Sequence, residues 1–188
     1  MRHIQTHGVC CTLVKGSEKA LLIDTGYGRR NLRTFIEQNL DTTPLYSQKI
    51  LPVKDRLSLG NLHITVIPLP GHTAGSTGFL VEEERLLIAG DALNEELWLF
   101  NYGSLSLKQL YHTLKQTLSL EFDSYLCGHD RKEYKKEALT SHIKNMEALK
   151  TDACIPEVTI GFETLRSIYE DASGHSEIVF TKDKLSLR

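Results

Sequence analysis

Three short segments of the sequence each place one potential metal ligand beside a glycine. His72 follows Gly71, Asp91 follows Gly90 at the end of an apolar run, and His129 follows Gly128 in the same way. Glycine lets the backbone turn sharply, so each side chain can be presented at the end of a strand. Imidazoles and carboxylates bind zinc, and bound zinc can activate water for hydrolysis. The sequence therefore predicts a metal site containing these three ligands.

Each segment alone is weak evidence, because a lone histidine is more often structural and Gly-Asp after a strand is more often a turn. The prediction rests on the context that all three segments share, in which a possible metal ligand follows a glycine. Cys127 is interpreted as a buried strand thiol rather than a ligand. We also assign structural roles to the remaining histidines, which are His3, His7, His63, His112, His142 and His175.

The elements that position these ligands follow from hydrophobic periodicity. Residues 9–15 and 19–24 predict a β-hairpin, and the apolar spacing from Leu32 to Leu40 predicts an amphipathic helix. Further strands are predicted at residues 49–53, 62–69, 77–81, 85–89, 122–127 and 177–181. Three further helices are predicted. One lies around Leu107–Leu118, and one follows His129 with a buried apolar stripe from Leu139 to Leu149. The third contains Phe162, Leu165, Ile168 and Tyr169. Strand pairs interleaved with helices indicate the α/β class, and 188 residues suffice for one domain, residues 1–188.

Together with residues 20–26 (ALLIDTG), the three ligand segments resemble the metallo-β-lactamase fold superfamily. The resemblance implies an αββα sandwich and a zinc-dependent hydrolase, in which a metal-bound hydroxide attacks an ester, thioester, lactone, lactam or phosphoester. It further implies that His72 completes one metal site, His129 completes a second, and Asp91 bridges the two. Asp24 is expected either to accept hydrogen bonds that steady loop amides or a ligand imidazole, or to be a turn residue.

The superfamily's principal motif, His-x-His-x-Asp-His, does not occur in this sequence. The resemblance places it between the helix ending at Leu40 and His72, so the sheet sandwich is expected to be incomplete between Leu40 and Asp41. Each metal would keep one imidazole and the shared carboxylate, whereas catalytic zinc usually has three protein ligands.

Three interpretations of the gap remain open: the segment is deleted, it is omitted from this sequence, or a non-catalytic segment has replaced it. With the segment, we expect a hydrolase with two zinc ions. Without it, we expect one weakly bound ion or none, and an inactive form or a non-catalytic binding protein on the same scaffold.

Trp98, Phe100 and Tyr102 alternate just after Asp91 and predict either an apolar wall for a small-molecule substrate or core packing. No residue specifies the substrate.

The composition of the chain limits which binding partners and which cellular location we expect. A net charge of −2 without a basic patch excludes a nucleic-acid footprint. No apolar stretch approaches the roughly 20 residues of a membrane span. Four scattered cysteines indicate a reducing compartment, so we expect a cytoplasmic protein.

Overall fold

The computed structural model describes residues 2–6, 9–25, 32–39, 55–172 and 174–185. Its strands are β1 (Arg2–Thr6), β2 (Val9–Lys15), β3 (Ala20–Ile23), β4 (Arg56–Ser58), β5 (His63–Pro68), β6 (Thr77–Val81), β7 (Leu86–Gly90), β8 (Glu96–Leu99), β9 (Ser124–Cys127), β10 (Glu133–Lys135), β11 (Ile155–Thr159), β12 (Phe162–Asp171) and β13 (Gly174–Phe180). Its α-helices are α1 (Leu32–Asn39), α2 (Leu107–Leu118) and α3 (Ala138–Ala148), and short 3₁₀ turns lie at Thr151–Ala153 and Lys182–Leu185.

The described strands form three sheets. The first has the order β1-β2-β3, the second has β10-β9-β7-β6-β5-β4, and the third has β11-β12-β13-β8. Within the second sheet β7 and β9 run parallel, with Leu87 opposite Tyr125. Because parallel neighbours end at the same edge of a sheet, Asp91 after β7 and His129 after β9 are brought together.

The six-stranded sheet is apolar on both faces, as the consecutive buried residues of β7 require. Leu87 joins the larger core cluster, which contains residues of α2, α3 and the four-stranded sheet. Leu86 and Ile88 join a smaller cluster with Val14 of β2. The first sheet also contacts the end of β9, where the Cys10 amide donates to the Gly128 carbonyl at 2.7 Å. This mixture of sheets and covering helices confirms the predicted α/β class.

The hairpin predicted at residues 9–15 and 19–24 is confirmed by β2 and β3, and the strands predicted at 77–81 and 85–89 are confirmed by β6 and β7. The helices predicted from Leu32, Leu107 and Leu139 are also confirmed. The predicted strand at residues 49–53 and the proposed junction between Leu40 and Asp41 lie outside the described residues. No helix in the described part of the chain is both long and apolar enough to cross a membrane.

The helix predicted at Phe162, Leu165, Ile168 and Tyr169 is wrong, because these residues belong to strand β12. The apolar residues imitate helical spacing since the strand does not alternate cleanly in polarity. Ser167 faces the core and donates from Oγ to the Asn145 Oδ1 at 2.6 Å, while Ile168 lies on the exposed side. Because Asn145 of α3 satisfies this inward-facing serine, the inward positions of β12 are not all apolar. The alternation of polar and apolar residues that is typical of a strand is therefore not visible in the sequence.

Candidate metal site

His72 lies in a tight loop between β5 and β6 that helix α2 supports. The Thr113 hydroxyl of α2 donates to the Pro70 carbonyl at 2.5 Å, and the Leu105 amide donates to the Gly71 carbonyl at 2.8 Å. Gly71 packs so closely on Leu110 that a Cβ would lie 2.7 Å from a leucine methyl. Helix α2 therefore packs directly on Gly71 and fixes the loop that presents the histidine.

The main chain of β8 orients the His72 ring. Its Nδ1 lies 2.9 Å from the Trp98 carbonyl oxygen. A carbonyl can only accept, so Nδ1 carries the proton and Nε2 keeps its lone pair. Metal-binding histidines commonly have this arrangement, in which the second nitrogen donates to a carbonyl or carboxylate. The tautomer of His72 thus suits a ligand.

Asp91 and His129 contact each other directly, with Nε2 3.1 Å from Oδ1. The pKa of Asp91 lies below its ordinary value, first because of the hydrogen bond from His129, with burial opposing and the charges of His129 and His72 adding. A Cβ on Gly128 would lie 2.2 Å from Oδ1 of Asp91, so a larger residue there would displace the carboxylate from its present position. The side chains of Asp91 and His129 are 45% and 41% exposed, which leaves both accessible to an incoming ion.

Asp24 lies at the end of β3 in the left-handed region, with φ +68°. Its carboxylate accepts a hydrogen bond from the Thr25 amide at 2.5 Å, as a turn residue does. Its charge also raises the pKa of the Cys11 thiol, although burial of the thiol is the larger cause. The role of Asp24 in steadying a ligand stays a prediction.

The three aromatic residues after Asp91 occupy different environments. The Trp98 ring lies 6.2 Å from the His129 ring and lines a cavity of about 310 Å³ together with His129. Phe100 is buried behind Trp98, at 5.2 Å between ring centroids, whereas Tyr102 is fully exposed. Trp98 therefore contacts both candidate histidines, one through its carbonyl and one through its ring.

The wall of this cavity is acidic, which the sequence did not indicate. Glu95, Glu96 and Asp130 line it alongside Trp98. Glu96 accepts hydrogen bonds from the Trp98 Nε1 and, at 2.8 Å, from Arg166.

Arg166 lies on β12 and also pairs with Glu157 and Glu177. Hydrogen bonds to Glu157 and Glu96 raise its pKa above the ordinary value. The local motifs could not reveal this contact, because it joins strands that are distant in sequence.

The donor types suit a transition metal such as zinc or iron, because two imidazoles and a carboxylate are typical ligands of both. The three donors do not converge on one point. Among the described residues, the set with ligand atoms all within 4.8 Å of one another is His63, Glu82 and Glu83. Ligand atoms of one zinc lie roughly 4 Å apart at most, since its bonds are about 2.1 Å long. The three donors are therefore not arranged around a single ion, and the assignment of His72 and His129 to separate metal positions stays a prediction.

The His63, Glu82 and Glu83 cluster has internal partners that explain it without an ion. Arg56 donates two hydrogen bonds to Glu82, at 2.8 and 2.7 Å, which contribute most to lowering the pKa of Glu82 to about 2. The Nδ1 of His63 lies 2.6 Å from Glu83. His63 begins β5 whereas His72 follows that strand, so the cluster lies at the opposite end of β5 from the candidate site.

Solved structures share this fold. ETHE1 from Myxococcus xanthus matches with a TM-score of 0.61 and 20% identity, over 79% of this chain and 85% of that one. A metallo-β-lactamase from Pontibacter korlensis matches with a TM-score of 0.58 and 16% identity, over 79% and 93%. TTHA1623, solved in a di-iron-bound form, matches with a TM-score of 0.56 and 17% identity, over 74% and 96%.

No family model matches the sequence, and no curated protein matches it. The similarity to solved structures shows that the chain has the metallo-β-lactamase fold.

Proposed function

We propose that the protein is a metal-dependent hydrolase of a small-molecule substrate, with His72, Asp91 and His129 as metal ligands. The observation that carries this proposal is the direct contact of Asp91 with His129 at one sheet edge, together with a His72 ring whose Nε2 keeps its lone pair. Zinc is the metal we propose, and iron is the second candidate because TTHA1623 was solved with two iron ions. The four free cysteines support a cytoplasmic location.

A bound zinc would supply Lewis acidity, which lowers the pKa of water and polarises a carbonyl or phosphoryl group. The chain's own residues prepare the site for it. The Trp98 carbonyl holds the His72 proton at Nδ1, and the lowered pKa of Asp91 keeps its carboxylate charged at neutral pH. The contact with Asp91 places a hydrogen on Nε2 of His129. To bind a metal through Nε2, the ring must move this hydrogen to Nδ1 or release it.

Metal binding can be followed through Trp98, which is the single tryptophan of the chain and lies beside His129. We expect cobalt(II) to quench its fluorescence, and zinc to reverse the quenching by competition. The variants His72→Ala and His129→Ala should each weaken both effects at least tenfold, the lower end of the loss seen when a metal site is perturbed. His112→Ala is the matched control, because His112 is an exposed histidine on helix α2. Equal affinities in all four proteins would contradict the assigned ligands.

Hydrolysis is tested on ester, thioester, lactone and β-lactam substrates with added zinc or iron. The proposal expects the unmodified protein and His112→Ala to exceed His72→Ala in rate. Rates equal to that of His72→Ala for every substrate and both metals would reject the hydrolase.

A non-catalytic binding protein is the second candidate, and it is favoured by the missing His-x-His-x-Asp-His motif and by ligands that do not converge. This candidate predicts small-molecule binding in the Trp98 cavity without retained metal. It would be contradicted by a metal that stays bound through purification and dialysis.

A further inference from the structure

The cavity beside His129 has an acidic wall. Its volume of about 310 Å³ is at the lower end of the roughly 300–1,000 Å³ of small-molecule sites. Glu95, Glu96 and Asp130 supply three carboxylates, and the described residues that line the cavity include no lysine or arginine. A cleft with one sign of charge concentrates ligands of the opposite sign. The wall therefore favours a cationic ligand over an anionic one.

The arginine that pairs with Glu96 does not neutralise this wall. Arg166 lies 2.8 Å from Glu96, but the same guanidinium also pairs with Glu157 and Glu177. One positive charge is thus shared among three carboxylates. Each carboxylate has about four lone-pair positions, so Glu96 can still accept from a further donor.

The other two carboxylates are only partly compensated. Glu95 pairs with the Nζ of Lys132 at 3.2 Å. Asp130 accepts hydrogen bonds from the Tyr134 hydroxyl at 2.7 Å and from the Lys132 amide at 2.8 Å. Both of these donors are uncharged, so they leave the negative charge of Asp130 in place. Negative charge therefore exceeds positive charge at this wall.

A buried amide in the same wall lacks a hydrogen-bond donor. Asn94 lines the cavity and is 9% exposed, and its Oδ1 has no hydrogen-bond partner among the described residues. The backbone of Asn94 forms a hydrogen bond with the buried His142, which holds the residue from the core side. A buried acceptor without a donor is costly, and such a group in a native structure calls for a partner. The missing partner must be an N–H or O–H donor, because Oδ1 can only accept.

Trp98 offers a contact that also suits a cation. The face of an indole ring attracts ammonium groups, more strongly than the other aromatic side chains do. The Trp98 Nε1 donates to Glu96, so the polar edge of the ring already points to the acidic wall. Trp98 and His129 line the same cavity, with their rings 6.2 Å apart. One small molecule in the cavity can therefore contact both the ring and the candidate ligand.

An organic cation suits this wall better than a metal ion does. A zinc ion in a protein usually has at least three protein donors around one point. Among the described residues, the set of histidine, cysteine and acidic side chains that meets this condition is His63, Glu82 and Glu83, which lies elsewhere. An ammonium group needs no such set, since one amide oxygen, one carboxylate and a water satisfy its three N–H groups.

We infer that the cavity binds a primary ammonium group of the substrate. Asn94 Oδ1 accepts one N–H, the carboxylates of Glu95, Glu96 and Asp130 supply the opposite charge, and the Trp98 ring contacts the cation. This inference rests on the proposed function, which places the reacting group near His129. It narrows the substrate to an ester or thioester that carries a protonated amine.

The test measures binding without turnover, through the fluorescence of Trp98. Four ligands share one butyl chain and differ in the polar group: butylammonium, butyltrimethylammonium, butan-1-ol and butyrate. We expect butylammonium to bind most tightly, because it alone combines positive charge with N–H donors. Butyltrimethylammonium should follow, butan-1-ol should be weaker, and butyrate should be weakest because the wall repels it.

Two variants separate the hydrogen bond from the charge. Asn94→Leu should weaken butylammonium roughly tenfold, because the charged donor loses its buried acceptor, and should leave butyltrimethylammonium unchanged. Glu95→Gln should weaken both cations roughly threefold and leave butan-1-ol unchanged. The Glu95 side chain is 57% exposed, so this variant keeps the test valid if Asn94→Leu does not fold.

Glu84→Gln is the matched control, since it removes the same charge from an exposed residue outside the cavity. Its affinities should equal those of the unmodified protein. Butyrate binding as tightly as butylammonium, or equal losses in Glu84→Gln and Glu95→Gln, would overturn the inference. So would butyltrimethylammonium that binds at least as tightly as butylammonium, or magnesium that displaces butylammonium at a lower concentration than sodium of equal ionic strength.

The two proposals fail separately. Selective binding of butylammonium without hydrolysis of any substrate supports the ammonium site and rejects the hydrolase. Hydrolysis of ethyl butyrate as fast as that of the β-alanine ethyl ester, its cationic counterpart, supports the hydrolase and rejects the ammonium site.

Discussion

At the scale of single residues, His142 shows how a titratable group contributes to the core. It is 2% exposed on helix α3, and its Nδ1 lies 2.8 Å from the Ser176 hydroxyl of β13. Asn145, one turn further along, donates to the carbonyls of Ser167 and Ser176. These contacts join α3 to two strands of the four-stranded sheet, so His142 is a structural residue in its neutral form.

We predict that this neutral histidine makes stability depend on pH. Burial lowers the pKa of His142 from 6.5 to about 4. Between these values the unfolded chain binds a proton that the folded chain does not, so stability is full above pH 6.5 and is lost as the pH falls towards 4. The free energy of unfolding in urea should fall by about 2 kcal/mol between pH 7 and pH 5.

His142→Gln should remove most of this dependence, whereas His112→Gln, at an exposed site, should retain it. The same pH profile in His142→Gln as in the unmodified protein would assign the effect to another group.

The candidate ligands could be predicted from the sequence because each follows its own strand beside a glycine. The residues that orient them could not. The contacts of Trp98 with His72 and of Arg166 with Glu96 join segments that are distant in sequence, and they form only when the strands assemble. Local patterns therefore predicted which strand ends carry the candidate side chains, but not the residues that contact those side chains.

At the scale of elements, a strong hydrophobic periodicity was sufficient to predict the type of element, whereas a weak periodicity predicted the wrong type. Helix α2 presents Leu107, Leu110 and Leu114 as one buried stripe, and its prediction is confirmed. Strand β12 imitated a helix because its inward position 167 is a serine, which is satisfied by Asn145 of α3. The polar partner that makes this serine acceptable lies on another element, so the strand could not be recognised from its own residues.

The turn between β11 and β12, in which Ile160 has a φ of +48°, gives a prediction about stability. Ile160→Asn should raise the free energy of unfolding by about 1 kcal/mol, because asparagine tolerates the left-handed region that isoleucine does not. Urea unfolding at pH 7 provides the measurement. Ile160→Val keeps the β-branch and should show no gain. A midpoint for Ile160→Asn at or below that of the unmodified protein would show that the turn is not strained.

At the scale of the whole molecule, the packing of the first sheet on the six-stranded sheet supports a single cooperative domain. Val14 of β2 is buried with Ile64, Val81 and Ile88 of the larger sheet. We predict that Val14→Ala lowers the free energy of unfolding by about 2 kcal/mol, through lost burial and a cavity. The loss should be visible in the fluorescence of Trp98, which belongs to a different sheet, because a cooperative domain unfolds as one unit.

Val158→Ala, at an exposed position, should cause no such shift. A Trp98 transition that Val14→Ala leaves unchanged would mean that the first sheet unfolds separately, and the single-domain prediction would fail.

The order in which the chain is synthesised matters for the pairing of β8 with β13. Glu96–Leu99 leave the ribosome long before Gly174–Phe180, their parallel partner in the four-stranded sheet. Until then β8 has no neighbouring strand in that sheet, and the Trp98 carbonyl that orients His72 lacks its final support. The nascent chain therefore carries all three candidate ligands before it can arrange them, so a translation product that stops short of β13 gains the donors without the site.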